Sequence, residues 1–178
     1  MYRYLPISRR FIFGLIALLG FFVGGAPANA AQSVVLKYSI LRETISVPEL
    51  TAFAKTGELS PSLKAYLKLA GKEPDQLRRA LTQEVPVNGT LLYGVLTSPV
   101  GKVMLDQVSE VVHTPDNQGN RESLRGALVS SALPDGKITL IETLENYPTP
   151  EVHVEGERLV EVVGKITRVL GRLPNIKL

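Results

Sequence analysis

The chain has no cysteine, no tryptophan and only two histidines in 178 residues. Without cysteine it has no thiol nucleophile, no disulfide and no thiolate metal ligand, so its stability must come from an apolar core. Without tryptophan it lacks the strongest stacking surface for sugars and quaternary amines, leaving tyrosine for that purpose. His113 and His153 are the whole supply of imidazole, the side chain best suited to proton transfer near neutrality. Also missing are a Gly-rich phosphate loop, a dinucleotide fingerprint and, after residue 31, any long apolar run.

What is present begins with an export pattern. Arg3, Arg9 and Arg10 make a positive start, Phe11 to Gly25 an apolar core, and Ala28-Asn29-Ala30 a small-x-small cleavage site. Residues 1–30 are therefore expected to be a cleavable signal peptide, with the mature chain beginning near Ala31. An uncleaved anchor is the alternative, but a spanning helix wants about 20 residues, and Gly14, Gly20, Gly24 and Gly25 interrupt this one. No cysteine follows the apolar core, which excludes a lipoprotein anchor. The expected location is outside the cytoplasm: periplasm, thylakoid lumen or extracellular space.

Removing that segment takes away three of the 20 Lys and Arg and none of the 17 Asp and Glu, so residues 31–178 are formally neutral. The high isoelectric point of the whole chain thus belongs to the targeting segment and implies no nucleic-acid partner. Arg78-Arg79, the one later basic doublet, falls on an expected helix face. The remaining 148 residues are a normal size for one domain with its own core.

The punctuation of that domain is helical. Ser33 to Ile40 alternates as a strand with one apolar face. Ser46-Val47-Pro48-Glu49 is a capping box opening a helix over about 47–56 that Gly57 stops; Ser60-Pro61 opens a second, stopped at Gly71. A third starts at Pro74 and cannot pass Pro86, and Asn88 caps a short fourth. Ser98-Pro99 opens a fifth, in which Val100, Val103, Met104, Val108, Val111 and Val112 read as a core stripe. The polar stretch Thr114 to Asn120 is a loop, followed by helices over about 122–133 and 136–145 with Pro134-Asp135-Gly136 between them. Tyr147-Pro148-Thr149-Pro150 forces an extended path into Glu151 to Glu155, a strand with Val152 and Val154 on one face, expected to pair with the first strand. A last helix is expected over about 157–170. The expected fold is mainly α: a single domain of seven to eight short helices with a small two-stranded sheet joining the start and the late part of the mature chain.

The pattern resembles a cyanobacterial domain of unknown function that occurs alone or ahead of an alpha/beta-hydrolase catalytic region. The resemblance runs from about Val34 to Leu159. It rests on Ile45-Ser46-Val47-Pro48-Glu49-Leu50, Phe53-Ala54-Lys55-Thr56-Gly57, Leu59-Ser60-Pro61, Leu96-Thr97-Ser98-Pro99-Val100-Gly101, Leu124-Arg125-Gly126-Ala127-Leu128 and Tyr147-Pro148-Thr149-Pro150. The chain departs from the longer members in carrying no hydrolase region and no Gly-x-Ser-x-Gly elbow, which that chemistry needs to project its serine beside oxyanion donors. The resemblance therefore implies an accessory or ligand-handling domain and carries over no catalytic residue.

Chemistry sought in the residues themselves yields few candidates. Ser109 or Ser123 could meet a histidine in space, although no spacing requires it, and no Ser-x-x-Lys occurs. Glu151, His153 and Glu155 share one face of their strand, a set that suits a divalent ion, but structural metal sites want four ligands at defined spacing and the set reads first as the wet face of a half-buried strand. Asp106 with Glu110 and Glu142 with Glu145 could mimic glycosidase carboxylates, yet both pairs sit opposite apolar stripes. Asn88-Gly89-Thr90 matches a glycosylation sequon and already serves as a cap. No catalytic, cofactor-binding or metal residue is therefore assigned, and no cofactor is expected. The expected role is an exported, non-catalytic accessory or binding module for a protein partner or an apolar small molecule. A small ester hydrolase and a structural envelope protein are the alternatives.

Overall fold

The computed structural model describes residues 30–158 and Glu161. Its elements run β1 (Ser33–Tyr38), β2 (Leu41–Ser46), α1 (Val47–Thr56), α2 (Pro61–Ala70), α3 (Pro74–Thr82), β3 (Val85–Pro86), α4 (Gly89–Thr97), α5 (Pro99–Ser109), β4 (Val112–His113), α6 (Asn120–Ala132), β5 (Lys137–Ile138), α7 (Leu140–Glu145) and β6 (Glu151–Glu155). Residues 156–158 are helical. The rest of the helix expected over 157–170 lies outside the described residues apart from Glu161, as does the expected signal peptide through residue 29. No helix among the described residues is long and apolar enough to cross a membrane.

The helices begin where their caps predict. Ser46, Ser60 and Ser98 each accept from a backbone N–H three residues on, and each is followed by a proline in the first turn, whose missing donor costs nothing there. Asn88 takes two such bonds, from Thr90 and Leu91. Gly57 and Gly71 end α1 and α2 in the left-handed conformation that favours glycine.

The mainly helical fold and the pairing of the chain's start with its late strand are both present, and the sheet is wider than two strands. Its order is β2-β1-β6-β4. β1 runs parallel to β6 and antiparallel to β2, while β4 runs antiparallel to β6. β2 comes from a tight hairpin at Ser39-Ile40, where Ser39 holds a positive φ of 54° and Ile40 projects into solvent. That turn has neither glycine nor asparagine to announce it, so the sequence shows one strand where there are two. A second, two-stranded sheet pairs β3 with β5.

The core lies on one face of the larger sheet. Val34, Ile45 and Val152 sit side by side across three strands with no exposed surface, and Leu36, Val154 and Val112 form the next row. Leu50 and Phe53 of α1, Leu63 and Leu67 of α2, Leu92 of α4, Leu105 of α5 and Leu124 of α6 complete it.

Two readings of α5 and α7 change. Val111 and Val112 leave the helix after Ser109, and Val112-His113 joins the sheet as β4. The buried face of α5 is Gly101 and Leu105, whereas Val100 and Val103 are 69% and 58% exposed. Likewise Lys137-Ile138 becomes β5, and α7 starts only at Leu140, behind a full capping box of Thr139 and Glu142.

Candidate functional site

The opposite face of the sheet is polar, and its register places residues in rows. Thr44, Val35, His153 and His113 stand in line across β2, β1, β6 and β4. On one side of that row lie Arg42, Lys37 and Glu155, on the other Ser46, Ser33 and Glu151. The chain's two histidines are thus neighbours. Their ring centroids are 5.3 Å apart in an edge-to-face arrangement, and each residue is only 6% exposed. The wet-face reading of β6 therefore fails at its centre, where His153 is buried between two partly exposed glutamates.

Each ring is held. His113 Nδ1 lies 2.8 Å from the Thr114 carbonyl and Nε2 3.3 Å from Glu155 Oε1. His153 Nε2 lies 2.8 Å from Glu151 Oε1 and 3.5 Å from Arg42 Nη2. Lys37 donates to the same Glu155 oxygen at 2.8 Å. Partial burial works against the Glu155 carboxylate, but the hydrogen bonds and charges of Lys37 and His113 outweigh it and hold its pKa below the ordinary range. Nearby on α2, burial pushes the Tyr66 hydroxyl up to about 12, assisted by the negative charges of Glu43 and Glu155.

Ser109 spends its hydroxyl on the Leu105 carbonyl within α5, and Ser123 sits in the first turn of α6. No serine or threonine hydroxyl is hydrogen-bonded to either imidazole among the described residues. Among those residues, too, no group of three or more His, Cys, Asp or Glu is arranged to hold a metal ion. Glu151, His153 and Glu155 do share a face, but the strand spreads them along it and cations and imidazoles occupy their oxygens.

The other candidates have structural partners. Asp106 forms a two-bond pair with Arg121, which lowers its carboxyl pKa, and Glu110 pairs with Arg158. Glu142 closes the α7 capping box, and Glu145 accepts from Thr51. Arg78 donates to the carbonyls of Ala54 and Lys55, satisfying the last turn of α1. The sequence pattern runs the fifth helix's apolar stripe through Val112, which leaves no strand to bring His113 beside His153. The missed signal is the β-branched run Val111-Val112, which suits a strand better than the end of a helix.

A second feature is apolar. Leu91 and Tyr93 on α4, Val100 and Val103 on α5, and Leu133 just after α6 are exposed, with Val100 and Leu133 near 70%. α4 and α5 meet at Ser98, which ends one and caps the other, and Leu133 lies against the start of α4, where a Cβ at Gly89 would come within 3.2 Å of it.

Residues 30–155 match the model of a family described as alpha/beta hydrolase of unknown function, DUF1400. No curated protein and no solved structure matches the chain.

Proposed function

Because the chain belongs to the DUF1400 family of alpha/beta hydrolases of unknown function, we propose that it is an exported accessory or binding module, acting on a hydrolase-type partner or an apolar ligand without carrying out catalysis itself. The observation that carries this reading is the apolar display on α4, α5 and the end of α6. Leu91, Tyr93, Val100, Val103 and Leu133 are five of the seven exposed large apolar side chains among the described residues, the other two being Ile40 and Leu69. Scattered apolar residues on a surface are ordinary, whereas several on adjoining helices favour a contact face. On the polar sheet face both histidines are buried and bonded to carboxylates, and among the described residues no hydroxyl is hydrogen-bonded to either ring.

Export, to the periplasm, the thylakoid lumen or the medium, belongs to the same proposal and rests on residues 1–30. β1 begins at Ser33, so processing near Ala31 would leave every strand and helix of the domain intact.

Native mass spectrometry of the protein isolated gently from its host tests both halves. A mass starting near Ala31 with an added lipid-sized or protein-sized species is expected, and that species should be lost in a Val100→Lys, Val103→Lys double variant of unchanged thermal stability. A bare processed monomer at all concentrations overturns the binding reading, and an unprocessed chain overturns export. The family description favours one alternative, a small ester hydrolase. It would require turnover of a chromogenic ester that disappears when both His113 and His153 are replaced by glutamine.

A further inference from the structure

Two exposed apolar side chains belong to elements other than α4, α5 and α6, and the fold brings those elements together. Ile40, 95% exposed, stands at the tip of the β1–β2 hairpin. It is carried there by Ser39, whose positive φ of 54° is a conformation that residues other than glycine adopt at a cost. Leu69, 71% exposed, is in the last turn of α2. α2 packs against β2, and Lys72, just past the helix, holds its ammonium 4.8 Å from the centre of the Tyr38 ring, immediately before the hairpin turn. The end of α2 and the tip of the hairpin are therefore neighbours.

The outward side of α2 is cationic. Leu63, Tyr66, Leu67 and Ala70 take its inner face. Lys64 and Lys68 are left exposed one turn apart, about 6 Å along the axis, and Lys72 is exposed beyond the left-handed Gly71. No acidic residue occurs from Leu59 to Lys72. None of the three lysines is in an ion pair among the described residues, and the carboxylates that act on this helix, Glu43 and Glu155, do so at Tyr66 on its inner face. Like charges at i, i+4 repel, so the helix itself gains nothing from this row. An anionic surface would turn the same repulsion into attraction.

We propose that this corner docks the domain on an anionic lipid surface, with the ammonium groups of Lys64, Lys68 and Lys72 at the headgroup phosphates and Ile40 and Leu69 in the acyl boundary beneath them. Lysine suits that layer because its stem lies along apolar surroundings while its charge stays among the headgroups. A single isoleucine projecting from a hairpin tip fits fluid hydrocarbon, which moulds itself to a convex shape. An acidic protein segment would pair the lysines and leave Ile40 in water. The corner uses none of Leu91, Tyr93, Val100, Val103 and Leu133, so it stands or falls apart from the binding reading above.

Sedimentation of the protein purified from its host tests this, with vesicles of phosphatidylcholine alone and with a third of that lipid replaced by phosphatidylglycerol. Binding to the anionic vesicles is expected, falling steeply as salt rises. A lysine near an anionic surface is worth about fivefold in affinity, so Lys64→Gln, Lys68→Gln and Lys72→Gln together should weaken binding by about a hundredfold at an unchanged thermal midpoint, since all three side chains are exposed. The absence of cysteine allows one environment-sensitive dye to be placed at Ile40→Cys. Its emission should shift to the blue on anionic vesicles and stay unshifted on neutral ones, and it reads the corner itself whatever the rest of the chain does. A triple variant that binds as tightly as the unaltered protein overturns the proposal, as does a dye that stays unshifted on anionic vesicles. Capture by polyglutamate in preference to the vesicles also overturns it, and would assign the lysines to an acidic polypeptide.

Discussion

At the scale of single residues, the site and the core impose opposite demands on polar atoms, and Tyr147 shows the cost of leaving one unmet. Its side chain has no exposed surface, its hydroxyl has no hydrogen-bond partner among the described residues, and burial raises its pKa. An unpaired buried hydroxyl costs about 1–3 kcal/mol. Tyr147→Phe is therefore expected to stabilise the domain by roughly 1 kcal/mol, seen as a higher urea midpoint with an unchanged slope; an equal or lower midpoint would show that the hydroxyl is satisfied. The histidines illustrate the other case, in which each buried ring nitrogen that approaches a neighbour finds a carbonyl, a carboxylate or a guanidinium. Sequence identified the two residues as the scarce chemistry of the chain. It did not place them together, because their adjacency depends on a pairing between positions forty apart.

At the scale of elements, helix starts and stops were the most legible features, since they depend on a few neighbouring residues. Ser98 ends α4 and caps α5 at once: its hydroxyl donates to the Val95 carbonyl at 2.6 Å and accepts from the Gly101 N–H at 3.1 Å. The corner is tight enough that a Cβ at Gly101 would lie 2.0 Å from the Val95 carbonyl oxygen. Ser98→Ala is expected to cost about 1–2 kcal/mol, measured by chemical denaturation, whereas Ser98→Thr should cost less; equal losses would mean that the hydroxyl is not the cause. Orientation was less legible. The valines of α5 repeat at helical spacing, but so does Gly101 with Leu105, and packing against α4 and α6 selected the latter for burial. A hydrophobic stripe identifies a helix more securely than it identifies which side faces the core.

At the scale of the whole molecule, the polar sheet face couples stability to pH. The folded pKa of Glu155 lies below its ordinary value of 4.5, so its contribution is complete above that value and is lost as the pH falls through the lower, folded pKa. Partial exposure screens the effect, which sets its direction more firmly than its size. Urea midpoints measured from pH 7 down to pH 3 should fall more steeply for the unaltered protein than for Glu155→Gln, which should already be less stable at pH 7. Parallel curves would show that the Lys37 and His113 bonds add nothing to folding.

The sequence by itself determined the helical class, the caps, the dependence on an apolar core without cross-links, and the pairing of the first strand with Glu151–Glu155. These follow from local backbone chemistry and from periodicity, which a single chain displays. Only the tertiary structure decided that Leu41–Ser46 and Val112–His113 widen the sheet to four strands, that Val100 and Val103 face outward, and that His113 meets His153 under Glu151 and Glu155. Each of those outcomes compares one burial or one strand pairing against another across long stretches of chain. The winner is set by how all the elements pack together, and no local pattern contains that comparison.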